Sequence, residues 1–312
     1  MLKTYMSRPD GTLEETKAIE AGTWISLVNP QEEEIAQVLT LLNIEHEFIS
    51  DALDEAETPR IEREDHYIWI IVDIPVEVRQ QNNSLLYDTI PLTIIVTNNY
   101  FVTITLRENK IIEEFAQKRV KDLYTFKKTR FVLQILYVIA TYYLKYLRQI
   151  NQKTNRIEEE LHQSMRNEGL YSLLSLSKSL VYFTASLKAN EAVMEKMLRN
   201  NYLKMYEDDQ EILEDAIIEN KQAIEMAHIY SNVLSGMMDA FASVISNNVN
   251  IVMKFLTSIT IILAVPTMIA SFYGMNVDLP LQDAPYAFIT VMLFCLTLSL
   301  IIALIFARKK YL

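Results

Sequence analysis

Two uncharged apolar runs close the chain and constrain it more than any other feature. Phe255 to Phe272 is 18 residues without a charge, and Tyr286 to Ala307 is another 22. Crossing a ~30 Å hydrocarbon core takes about 20 apolar residues at ~1.5 Å each, so both qualify as transmembrane helices. Their distance from the N-terminus excludes a signal peptide. A single run of this kind could be a buried core helix, but two in succession predict a membrane anchor of two spans.

The flanking charges predict an orientation. Lys254 precedes the first run, and Arg308, Lys309 and Lys310 follow the second. The connection from Tyr273 to Pro285 holds Asp278 and Asp283 but no Lys or Arg. Basic residues stay on the cytoplasmic side, so both termini are expected in the cytoplasm and the short connection outside. The expected location is the plasma membrane, with the first ~250 residues cytosolic.

Composition removes several function classes. The net charge of −11 argues against a nucleic-acid partner, which needs clustered Lys and Arg, and suits a surface that meets cations. Only five glycines occur, where average usage would give roughly 20. No two are closer than 11 positions, so neither a Walker A loop nor a dinucleotide fingerprint is present. No HExxH, no Gly-x-Ser-x-Gly and no nucleophile–base pair can be named, so an enzyme is not expected. Cys295 is the single cysteine and lies within an apolar run, which excludes an intramolecular disulfide.

The first ~107 residues mix strand and helix signals. Tyr67–Val78 and Tyr100–Leu106 are β-branched and aromatic-rich. Thr89–Thr97, Asn98-Asn99 and the run from Tyr100 predict a hairpin. Asn29-Pro30, followed by acids at 32–34, predicts a helix capped by Asn29 with Pro30 at its first position. An α+β domain of the α/β/α sandwich type follows.

From Pro91 the next proline is Pro266, with only Gly169 and Gly236 between them, which predicts long helices and a turn at Gly169. Tyr206–Asn220 carries seven acids, read either as a solvated helix face or as a lure for divalent cations. Asp208 to Phe272 could run as one helix of ~100 Å. Such a helix needs lateral partners, and oligomerisation would supply them. Asp239, Ser246, Met253 and Thr260 recur at sevens, as do Ala242, Val249, Leu256 and Leu263. That polar and apolar mixture fits a helix lining an axial channel, and fits an imperfect coiled coil equally well.

At the end of the first span stands Tyr273-Gly274-Met275-Asn276, where the glycine is expected to permit a tight helix break. Together with Asn250-x-x-Met253-Lys254-x-Leu256-Thr257, a short acidic loop and a basic tail, this resembles the CorA family of magnesium channels. The resemblance implies a funnel-shaped homopentamer with a long stalk helix leading into the two spans, in a lipid bilayer. It implies Mg²⁺ as transported and regulatory ion, Co²⁺ and Ni²⁺ as further substrates, and no organic cofactor. Gly274, Met275, Asn276 and Asp278 would meet the incoming ion. Asn250, Met253, Leu256, Thr257 and Thr260 would line the pore, with Met253 and Leu256 as its apolar constriction. Asp239 would hold regulatory Mg²⁺ between subunits.

The expected division is a cytosolic α/β domain over 1–165, a helical region and stalk over 166–252, and the first span over 253–273. The outer loop is 274–285, the second span 286–307 and the basic tail 308–312. Two other readings are a Zn²⁺ transporter of the same fold and a membrane-anchored scaffold without transport.

Overall fold

The β-branched, aromatic stretches between Tyr67 and Thr105 form the middle of a seven-stranded sheet. Its strands are β1 (Leu2–Ser7), β2 (Leu13–Glu15), β3 (Trp24–Val28), β4 (Arg60–Arg63), β5 (Tyr67–Arg79), β6 (Leu85–Thr97) and β7 (Phe101–Thr105). Their spatial order is β2-β1-β3-β7-β6-β5-β4, with β3 and β7 parallel and the other neighbours antiparallel. The β6–β7 hairpin forms where Asn98-Asn99 predicts it, with Val96 opposite Phe101 and the Thr97 N–H donating to the Tyr100 carbonyl at 3.0 Å. The computed structural model describes residues 1–44, 48–79, 85–163, 167–200, 202–280, 285–309 and 311. The chain divides into two units, Met1–Gly236 and Met237–Leu312.

In the first unit, helices cover both faces of the sheet. Ile25, Leu27, Trp69, Ile71, Ile95, Val102 and Ile104 pack against α1 (Glu32–Leu42) and α2 (Phe48–Leu53), through Ile35, Val38, Leu39 and Ala52. On the other face, Phe131 of α4 (Lys128–Gln163) stacks on Phe101 at 4.2 Å and meets Trp24 edge-on at 5.1 Å. Phe183 of α5 (Asn167–Asn200) packs at 5.0 Å from Tyr143 of α4. A sheet covered twice needs apolar residues on both sides of its central strands. Trp69, Ile70, Ile71 and Val72 are all fully buried, which is why β5 reads as a continuous apolar run rather than an alternation.

Two local expectations are corrected. Asn29 does not cap α1: it turns the chain out of β3 in a left-handed conformation, φ 48°. The helix starts at Glu32, because the Glu34 carboxylate reaches back to the N–H groups of Gln31 (3.0 Å) and Leu2 (3.1 Å). Hydrogen bonding to Gln31 first, and then the N-terminal ammonium, holds the Glu34 carboxyl below the usual range.

Gly169 is not a turn residue either; it lies inside α5, while 164–166 fall outside the described residues. A Cβ there would stand 2.8 Å from Leu161 Cδ2, so the missing side chain lets α5 approach α4 closely.

The acidic run opens α6 (Glu207–Tyr273), a helix of 67 residues that passes through Pro266. Asp209 is buried; it accepts the Tyr206 N–H at 3.1 Å and Arg130 Nε at 2.9 Å, while Asp208 takes Arg130 Nη2 at 3.2 Å. Part of the acidity therefore caps and anchors a helix, as acids at a positive dipole end do. Helix α7 (Ala287–Arg308) ends the chain, and α3 (Lys110–Ala116) follows β7 in the first unit, capped by Asn109 accepting the Ile112 N–H.

Candidate ion pathway

In the second unit, the membrane-length part of α6 has two distinguishable sides. Ser258 is buried, and residues 259, 262, 265, 266 and 269 are partly buried, at helical spacing. The matching half-buried positions of α7 are 287, 291, 295, 298, 299, 302, 303 and 306. These two rows form a seam. At the Lys254 end of the seam Ser258 Oγ donates to the Lys254 carbonyl at 2.8 Å and lies 3.4 Å from the Tyr311 carbonyl. The Lys254 ammonium stands 5.8 Å from the Tyr311 ring centroid. At the opposite end the seam opens into an apolar cleft of about 560 Å³ beside Pro266, Gly274 and Cys295.

The proposed pore residues lie on the other side of α6. At ~100° per residue, Asp239, Asn250, Met253, Leu256, Thr257 and Thr260 fall within an arc of about 120°. That arc is centred roughly opposite the α7 seam on the same wheel. All six are exposed in the single chain, Met253 at 56% and Leu256 at 53%. Five of these six residues are uncharged, and the stripe is left uncovered while the far side packs on α7.

The Tyr273-Gly274-Met275-Asn276 segment ends α6. Gly274 N–H donates to the carbonyls of Ala270 (3.1 Å) and Ser271 (3.2 Å), and Met275 N–H to Phe272 (3.1 Å). Tyr273 Oη donates to the Pro280 carbonyl at 3.0 Å, folding 274–280 back onto the helix end. Asn276 and Asp278 are exposed on that loop. Asp283 and Lys310 lie outside the described residues.

The helix ends directly before Gly274, where the break is expected, but without a left-handed glycine. The positive-φ glycines are Gly11 and Gly22, and a Cβ at 274 would meet the carbonyl oxygens of Ser271 at 3.4 Å and Ala270 at 3.6 Å, both ordinary contacts. Among the described residues, neither backbone conformation nor a close contact demands glycine at 274. The Tyr273–Pro280 bond was missed in the sequence; a tyrosine immediately before the motif and a proline seven residues on are its only signals. Among the described residues, no three His, Cys, Asp or Glu side chains converge to hold a metal, Asp239 included.

A profile of the family described as "CorA-like Mg2+ transporter protein" matches residues 20–309. The chain belongs to this family. The cobalt/magnesium transport protein CorA of Methanocaldococcus jannaschii is 31% identical, over 100% of both chains. The solved structure of the CorA magnesium transporter from that organism matches with a TM-score of 0.83 at 28% identity, over 100% of this chain and 99% of that one. The Thermotoga maritima cobalt/magnesium transport protein CorA is 22% identical, over 93% of this chain and 83% of its own. CorA-like proteins are Mg²⁺ transporters, and two helices of this chain are long and apolar enough to cross a membrane. The soluble α/β/α layers, the long helix and the two terminal apolar helices are thus the CorA architecture.

Proposed function

We propose that the chain is a passive Mg²⁺ influx channel, built by five copies whose first spans surround an axial pore. The observation that carries this reading is the opposition on α6 between the α7 seam and the uncovered stripe from Asp239 to Thr260. One side of the helix is packed within the chain, and the other is free to meet its equivalents in a ring. The number five comes from the CorA resemblance. Residues 253–273 and 286–307 are the spans, 274–285 is the outer loop, and 1–252 with 308–312 is cytosolic.

Mg²⁺ prefers six oxygens and releases water reluctantly. A ring of Asn276 carboxamides would accept the hydrated ion through its water shell, where an aspartate ring would hold a divalent ion too tightly to let it go. Gly274 would allow neighbouring loops to close in around Met275 and Asn276, and Asp278 would raise the local cation concentration. Asn250, Thr257 and Thr260 offer polar lumen surface. Met253 and Leu256, one turn apart, form an apolar ring that gates by expelling water.

No nucleotide hydrolysis is required. A divalent ion falling through ~100 mV gains about 4.6 kcal/mol, a factor of roughly 2,000 in concentration. Such a pathway needs a brake. Asp239 is exposed and, among the described residues, belongs to no group of three metal-ligating side chains, so the regulatory Mg²⁺ would bridge Asp239 to an acidic group of the adjacent copy. Low Mg²⁺ would release like-charge repulsion and open the ring.

The deciding experiment is uptake by purified protein in vesicles under an imposed potential. Potential-dependent Mg²⁺ accumulation, with Co²⁺, Ni²⁺ and Zn²⁺ as competitors, is expected. No uptake would favour the anchored scaffold, and preference for Zn²⁺ would overturn the Mg²⁺ assignment.

A further inference from the structure

The first unit carries an open cleft of about 1070 Å³ between the end of β4, the β6–β7 turn, the start of α4 and the α5–α6 connection. In a chain of net charge −11 it gathers five cations, Arg63, Lys127, Lys128, Arg130 and Lys204, against three carboxylates at 207–209. Arg130 is already held by Asp208 and Asp209. The other four cations form no ion pair among the described residues, and Glu207 is the remaining acid. Lys128 is half-buried, and its ammonium donates to the Asn98 carbonyl, with no carboxylate partner among the described residues. Burying a charge without a counter-charge is unfavourable, so the cleft as it stands is short of anions. The first turn of α4 contains no acid, and its free N–H groups add to the same positive field.

The rim supplies a second kind of recognition. Phe126 is 48% exposed and Tyr206 68% exposed, and both line the cleft. Exposed aromatic faces beside cations bind flat heteroaromatic rings by stacking, worth about 1–3 kcal/mol per base. The volume exceeds what inorganic phosphate needs and matches that of small-molecule sites. The surplus of two positive charges, with four cations outside any ion pair to contact several oxygens at once, fits a polyphosphate better than a monophosphate.

We propose that this cleft binds a nucleoside triphosphate. Its phosphates lie on Arg63, Lys127, Lys128 and Lys204, and its base stacks on Phe126 or Tyr206. Triphosphate oxygens are strong Mg²⁺ ligands, so the site would let the chain sense the anion that complexes its transported ion. That consequence rests on the cytosolic placement proposed above; binding itself does not.

The test is equilibrium dialysis of ATP, inorganic triphosphate and adenosine against the purified full-length protein in Mg²⁺-free buffer. ATP is expected to bind saturably and more weakly as salt rises. Inorganic triphosphate is expected to bind roughly tenfold more weakly for want of stacking, and adenosine not to saturate. The exposed pair Lys127→Glu with Lys204→Glu should weaken ATP at least about tenfold at unchanged melting temperature and oligomer size. Tyr206→Ala with Phe126→Ala should reduce ATP to the affinity of inorganic triphosphate. No saturable ATP binding, equal binding of inorganic triphosphate, or ATP binding that survives the charge reversals would each overturn the proposal. Vesicle uptake is measured separately, so this failure and failure of the transport reading are distinguishable.

Discussion

The Tyr273 hydroxyl donates to the Pro280 carbonyl at 3.0 Å, closing the seven residues that include Gly274, Met275, Asn276 and Asp278 into a loop on the end of α6. An exposed loop without such a tie samples many conformations, and a carboxamide ring works only if its members are held alike. Tyr273→Phe removes one hydrogen bond, about 1 kcal/mol, and no apolar surface. Mg²⁺ uptake in vesicles should fall severalfold while oligomer size by light scattering stays unchanged. Wild-type uptake in Tyr273→Phe would show that the bond does not position the loop.

Asn276→Ala deletes the carboxamide and nothing that packs, because the residue is exposed. Uptake should be abolished with assembly intact. Normal transport by this variant would remove Asn276 from the ion path.

Met253→Asp places a carboxylate in the proposed apolar constriction, one turn from Leu256. Hydrating the constriction should make the channel leak at high internal Mg²⁺, read as ion flux. Unchanged closure would mean that the gate lies elsewhere.

The Asp73 carboxyl on β5 is pushed above its ordinary value, chiefly by burial, with the Ser186 hydroxyl partly offsetting this. Burial and the charges of Asp73 and Asp88 push the Tyr143 phenol up, and Asn190 of α5 and Tyr143 of α4 bond to the Asp73 backbone. A carboxyl raised on folding binds more protons folded than unfolded, so stability falls as pH rises from about 3.9 through the raised value. Asp73→Asn removes that loss. Its melting temperature relative to wild type should therefore be higher at pH 7 than at pH 4, by calorimetry; a difference independent of pH would refute it.

The features legible in the sequence are those written in local periodicity. Uncharged runs of 18 and 22 residues announce α7 and the end of α6, because hydrocarbon tolerates nothing else at that length. The scarcity of proline and glycine announces α4, α5 and α6, and the β6–β7 hairpin follows from its two asparagines between strand-forming runs. Where the expectation failed, a distant partner decided. Glu34 set the start of α1 by bonding back to Gln31 and across to Leu2, which made Asn29 a turn. Leu161 gave Gly169 its reason, and Arg130 drew Asp208 and Asp209 out of any general acidic lure.

The candidate site divides the same way. Spacing alone places Asp239, Met253, Leu256 and Thr260 on one face of a helix, since 3.6 residues complete a turn whatever surrounds it. Which face that is, free or covered, follows from α7 packing on the opposite side through Ser258 and its neighbours, a contact between residues some fifty apart in the chain. Periodicity is carried by each residue and its near neighbours, whereas burial depends on which distant surface arrives. The sequence therefore determined the helices and the stripe, and only the tertiary structure decided that the stripe is the side left open.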